Sequence, residues 1–180
     1  MNGGHIQRSE GIVIYEMEDF LVYAPKHPHV SREEGGHIMI EAKREGCQTR
    51  LDFFPREAIE MIRLTMLTGE AMKMGMLDRG VKIELINYQE NGNWIPAQPK
   101  YPLIFHSHLY GRTRDSKIQT WGEALVFPPK SSGFYEHMQG LDADDVAAIQ
   151  KHWHNLEMEL KYRPESWHLR NGYSSLISHR

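Results

Sequence analysis

The chain has 180 residues, 40% hydrophobic and 25% charged, with a formal net charge of −3. That suits one globular domain, or one domain plus an extension, and it excludes the bulk basic field that draws a protein to nucleic acid. The single cysteine, Cys47, excludes an intrachain disulfide and cysteine-built zinc sites.

The opening stretch MNGGHIQRSE lacks the basic segment and apolar run of a secretory leader. No apolar stretch approaches the ~18–20 residues of a membrane span, so a cytoplasmic protein is expected. Ile12–Tyr15 and Phe20–Tyr23 are short β-rich runs around Glu16–Asp19, a hairpin pattern. Residues 25–36 are turn-rich and carry His27 and His29 around Pro28; both histidines are expected to be solvated. His37–Lys43 follows as a strand, and Cys47 sits in a polar turn with no sign of a reactive setting. Pro55 suits the first turn of a helix, and residues 56–78 carry apolar residues at helical spacing, with Ile59, Ile62 and Met66 beside Met61, Leu64 and Leu67. Gly80 offers the stop.

Val81–Ile86 alternates as a strand. Residues 87–101 are polar and proline-bearing, so they read as a loop. Leu103–Tyr110 is another strand, and Trp121–Phe127 a further candidate closed by Pro128-Pro129. Asp142 is placed as an N-cap; Val146, Ile149, Trp153, Leu156 and Leu160 follow at helical spacing until Pro164 ends the pattern. Trp153 and Trp167 are expected to pack helices. The order strands, helix, strands, helix predicts an α+β class with a mainly antiparallel sheet.

The stretch Pro102–Arg112, PLIFHSHLYGR, carries the chemistry. Strand side chains alternate in direction, so Ile104, His106 and His108 share one face while Phe105, Ser107 and Leu109 share the other. Taken alone, two same-face histidines are most often a half-exposed sheet surface. They can also share a metal ion, with His27, His29 or His37 as third ligand. A third option is nucleophilic catalysis, in which a neutral imidazole attacks phosphorus or an acyl centre and its neighbour stabilises charge or protonates the leaving group.

The surrounding residues resemble the histidine triad superfamily, whose signature is a strand reading His-x-His-x-His, two apolar residues, Pro or Gly, then Arg. Here Ile104-Phe-His-Ser-His108 runs into Leu109-Tyr110-Gly111-Arg112. Gly36-His37-Ile-Met-Ile-Glu-Ala-Lys43 is similar to the family's Gly-His, apolar strand and Pro-Lys, with Ala42 for the proline. The Phe20–Pro25 strand, the helix from Pro55 and the Val81 strand ending at Asn87 fall in family order, so the resemblance spans about residues 11–112. Ile104 stands in place of the first triad histidine, and Val22 in place of a ribose-binding acid. The 88–101 loop lacks a Gly-Gln-Ser/Thr segment, for which Asn91, Gly92, Asn93 and Gln98 are candidate substitutes. Trp94 in that loop could stack on a base or cover the core.

The resemblance implies an α+β core over 1–112; residues 113–180 lie outside it and are expected to form a C-terminal helical extension packed on the same domain. It implies a hydrolase or nucleotidyl transferase acting at a nucleotide α-phosphate through a nucleotidyl-histidine, on a nucleotide or other phosphorylated small molecule. His106 and His108 are the implied catalytic residues; His37, Asn87, Ser107 and Arg112 are the implied substrate contacts. Arg112 has a structural salt-bridge role as its alternative. The family's transferase branch reads His-Pro-His-Gly-Gln, a register that would make His108 the nucleophile and give Tyr110 the third position; the Gly-Arg spacing favours His106. No cofactor, metal, membrane or nucleic-acid partner is implied, and a homodimer is. The alternatives are an inactive nucleotide-binding protein on the same fold and a metal-dependent hydrolase using the histidines as ligands.

Overall fold

A computed structural model of the chain describes residues 10–90 and 104–169. Strands β1 (Gly11–Glu16), β2 (Phe20–Pro25) and β3 (His37–Ala42) precede helix α1 (Pro55–Asp78); β4 (Leu85–Gln89), β5 (His106–Arg112) and helix α2 (Ala143–Glu157) follow. The five strands form one sheet in the order β1-β2-β3-β5-β4, and every neighbouring pair is antiparallel. This is the expected α+β class. The expected hairpin is β1-β2, and α1 begins at Pro55 and stops before Gly80, whose φ is 81°.

One sheet face carries Val22, Ile38, Ile40 and Leu109 onto α1 and α2, where they meet Leu64, Leu67, Met72, Ile149 and Trp153. Only one side of the apolar stripe of α1 reaches this core. Met61, Leu64 and Leu67 are buried, while Ile59, Ile62 and Met66 stay 41%, 42% and 37% exposed. Helix α2 lies against α1 at Gly75, where a β-carbon would come within 2.7 Å of the Ile149 backbone. Trp153 stacks on Tyr15 at 4.9 Å, with its ring buried as expected, and the Tyr15 hydroxyl donates to Glu157 at 2.9 Å. Beyond α2, the carbonyl of Tyr162 accepts from Arg63, which is itself paired with Glu60 inside the core. Trp167 lies in a short 3-10 turn, half-buried, with its indole N–H on the Lys161 carbonyl.

Several boundaries differ from the sequence expectation. Strand β4 starts at Leu85 because Val81 N–H still caps α1 on Met76, and its ladder runs on through Asn87 to Gln89. Residues 121–127 form no strand. The Gln119 side chain bonds both the N–H and the carbonyl of Val126, and Arg112 takes the carbonyls of Gln119, Thr120 and Glu123, so side chains supply the partners a ladder would. Helix α2 ends at Glu157, leaving Leu160 exposed. Cys47 is buried in the core, with its thiol pushed up by burial, which fits a packing role. Leu103, the loop residues Asn91, Gly92, Asn93, Trp94 and Gln98, and the tail from Arg170 lie outside the described residues.

Gly111 is the tightest point between the sheet and the 26–36 loop. Its N–H bonds Gly36 O at 3.0 Å, and a β-carbon there would come within 2.3 Å of Gly35 O. Backbone meets backbone, so nothing flexible can yield. Gly111→Ala should therefore lower the unfolding free energy by about 3 kcal/mol, the upper part of the range for overpacking. Chemical denaturation checks this; an unchanged midpoint would contradict the contact.

Candidate functional site

The sheet face turned away from the helices is polar and aromatic. Register places His37 opposite Tyr110, Met39 opposite His108, and Glu41 opposite His106. It also places Asn87 opposite Tyr110 and Gln89 opposite His108. Directly opposed residues point the same way, so all of these share one face.

Four imidazoles meet there. His37 and His108 are 5.0 Å apart between ring centres, His106 and His108 4.9 Å, and His29 lies 5.0 Å from His37 and 5.4 Å from His108. His37 and His108 are almost fully buried, while His29 and His106 are half-buried.

The hydrogen bonds fix where the ring protons sit. His29 donates its backbone N–H to His37 Nδ1 at 3.2 Å. A neutral imidazole has one N–H, so the His37 proton is on Nε2. His37 Nε2 lies 2.8 Å from His108 Nδ1 and donates to it. The His108 proton is therefore on Nε2. His106 is held the other way round. Its Nδ1 lies 2.9 Å from the Ile104 carbonyl, which can only accept, so Nδ1 carries the proton and Nε2 of the neutral ring keeps a lone pair. Burial, followed by the charge of neighbouring imidazoles, holds His37 and His108 well below the usual histidine range. Burial, with the Lys130 charge second, lowers His29 to about 4. All three are neutral at pH 7, as the proton pattern requires.

The structure thus brings together His37, His106 and His108, with Asn87 on the same face. It does not bring Ser107 or Arg112 to them. Ser107 faces the core opposite Ile40, and its Oγ is buried with no hydrogen-bond partner among the described residues. The buried Arg112 guanidinium is turned onto the Gln119, Thr120 and Glu123 carbonyls, at 2.7 Å for Thr120. These are main-chain carbonyl partners in place of the expected salt bridge. Val22 is a core residue, so the position of the absent ribose acid is not on the site face at all. The acid that is there is Glu41, which accepts from the Tyr23 hydroxyl at 3.2 Å.

His27 is exposed as expected, but His29 is not solvated. Sequence reasoning offered it only as a possible metal ligand, and missed Gln89, whose Oε1 is buried with no partner among the described residues. Continuing the strand alternation past Asn87 would have found Gln89; no local signal singles out His29 over His27.

One nitrogen from each of His29, His37 and His108 lies within 4.8 Å of the others, a spacing that could gather a metal ion. The proton pattern opposes it. With His37 Nδ1 taken by the His29 N–H, its Nε2 carries a proton and offers no lone pair.

No protein-family model matches the chain, and a search of curated proteins finds no match. Solved structures do match. A hypothetical histidine triad nucleotide-binding protein from Sulfolobus tokodaii is 17% identical with a TM-score of 0.52, over 86% of this chain and 91% of that one. A zinc-bound histidine triad family protein from Mycobacterium smegmatis is 18% identical with a TM-score of 0.50, over 83% and 88%. A Hit-like protein involved in cell-cycle regulation from Bartonella henselae is 14% identical with a TM-score of 0.50, over 79% and 87%. The chain has the histidine triad fold. On that fold its own histidine pattern is divergent, with Ile104 at the first triad position.

Three depressed histidines make stability depend on pH. Between pH 6.5 and about 4 the unfolded chain binds protons that the folded His29 refuses, and His37 and His108 add to the effect. Stability therefore falls as pH falls through that window. Urea unfolding between pH 7.5 and 5 should show a steady loss, and stability that is flat or rising on acidification would contradict the buried neutral cluster.

Proposed function

We propose that the protein is a nucleotide hydrolase or nucleotidyl transferase that works at an α-phosphate through a covalent nucleotidyl-histidine on His106. The observation that carries this is the opposed proton pattern of two adjacent rings. His106 offers a lone pair on Nε2, and His108, 4.9 Å away and nearly perpendicular at 86°, offers an N–H. One is a nucleophile and the other a donor. The register that makes His108 the nucleophile is disfavoured, because its Nδ1 is occupied and its Nε2 protonated.

In the first step the His106 Nε2 lone pair forms a bond to phosphorus. The bond from phosphorus to the leaving group breaks, and the leaving group departs with the electron pair. The ring becomes cationic, and its Nδ1–H remains on the Ile104 carbonyl, a fixed dipole aimed at the developing charge. His108 Nε2–H donates to a non-bridging phosphoryl oxygen, as do the side-chain amides of Asn87 and Gln89. In the second step water, or another acceptor hydroxyl, attacks phosphorus and passes its proton to the departed leaving-group anion or to bulk water. The P–N bond breaks, and His106 recovers its lone pair.

The nucleotide part of the reading is supported by the name of the Sulfolobus protein. Other phosphorylated small molecules suit the same chemistry. No helix among the described residues is long and apolar enough to cross a membrane. A homodimer is supported by the edge position of β4, where Leu85 and Tyr88 are exposed, and by the exposed apolar side chains Ile62 and Met66 of α1.

The runner-up is a nucleotide-binding protein without turnover, favoured by Ile104 at the first triad position. Intact mass after incubation with a nucleoside phosphoramidate separates the two. The enzyme should gain one nucleotidyl mass, His106→Gly should gain none, and His108→Ala should form the adduct about 10²–10³-fold more slowly. An adduct that persists in His106→Gly would contradict the assignment.

A further inference from the structure

We propose that His29 is a substrate-binding residue, supplying from a loop the imidazole that the strand lacks at Ile104, and that the C-terminal part of the chain holds it there. The ligand class is the phosphoryl oxygens of the substrate, so this inference rests on the phosphate reading above.

The His29 ring is built into the cluster. It stacks on His37 with 26° between planes, and Nδ1 lies 2.9 Å from the buried Tyr110 hydroxyl. One of its nitrogens lies within 4.8 Å of nitrogens of both His37 and His108, close enough for one oxygen to touch more than one ring. His29 as a residue is half-buried, whereas its neighbours His37 and His108 are almost fully buried.

The loop carrying it is anchored to residues far along the chain. The buried Glu34 carboxylate accepts three backbone N–H groups, from Lys117 at 2.8 Å, Ile118 at 2.7 Å and Gln119 at 3.0 Å. Arg32 grips Asp145 with two bonds of 2.6 and 2.7 Å at the start of α2. Arg32 N–H donates to Gln139 O at 2.8 Å, and Gln139 N–H donates to Ser31 Oγ at 3.2 Å. Phe127 and Tyr135 then close on the His29 ring at 5.7 and 5.5 Å. A solvated loop histidine needs none of these anchors. Charge-assisted bonds of this kind hold geometry as well as energy. Segment 117–145 thus completes the wall of the site.

The test is binding, kept separate from turnover. Adenosine monophosphate and inorganic phosphate are titrated by calorimetry into wild type, His29→Ala, His29→Gln and His27→Ala. His29→Ala should weaken adenosine monophosphate by about tenfold or more, the loss of one hydrogen bond to a charged group. His29→Gln, which keeps an N–H donor, should recover much of it, and the exposed His27→Ala should bind as wild type. Glu34→Gln should weaken binding in the same direction with His29 unchanged in identity. Binding by a folded His29→Ala within twofold of wild type overturns the inference. So does an equal loss in Ala and Gln that tracks a fall in melting temperature, the mark of a purely structural ring. Failure of the catalytic reading shows elsewhere, as a wild-type protein that binds the nucleotide yet forms no His106 adduct.

Discussion

The backbone N–H of His29 pointing at His37 Nδ1 is the constraint on which the site depends. A main-chain amide can only donate, so it dictates which nitrogen of His37 carries the proton, and through the 2.8 Å bond that choice passes to His108. A second main-chain group, the Ile104 carbonyl, dictates the opposite choice for His106. Two rings on the same strand, two positions apart, are thereby given complementary chemistry by the backbone. Burial reinforces the pattern, since it keeps His37 and His108 neutral and so limits each to one proton. The same pattern leaves a bound metal without a lone pair at His37 Nε2.

That amide is in place only because the 26–36 loop is. The loop passes β5 where two glycines, Gly35 and Gly111, let backbones touch, and Gly35 takes a φ of 120° that other residues rarely adopt. Its other anchors, Glu34 and Arg32, reach into 117–119 and the start of α2. The Gly-Arg pair that closes the strand motif therefore does structural work at both residues. Gly111 admits the loop, and Arg112 ties down the segment that follows by binding its carbonyls. Placement of the histidines and packing of the C-terminal part are one problem.

Much of this was legible locally. Strand alternation put His106 and His108 on one face, Pro55 and the apolar spacing placed α1, and Asp142 capped α2 as its side chain suggested, accepting from Asp145 N–H at 2.8 Å. What was not legible came from partners distant in sequence. His29 is positioned by bonds spanning 83 to 113 residues, for which a single sequence holds no local trace. Arg112 read as a phosphate ligand or salt-bridge member because its partners are carbonyls, which every residue has. Alternation placed Ser107 on the face opposite the histidines, and the structure keeps it there, opposite Ile40. Asn87 read as the start of a loop because the polar residues after it mask two more strand positions, and that error hid Gln89.

The opposed proton pattern is the central claim, and long-range proton–nitrogen correlation of the imidazoles at neutral pH reads it directly. The account predicts His106 protonated on Nδ1 with a bare Nε2, and both His37 and His108 protonated on Nε2 with a bare Nδ1. A proton on Nε2 of His106, or a doubly protonated His108, would contradict it.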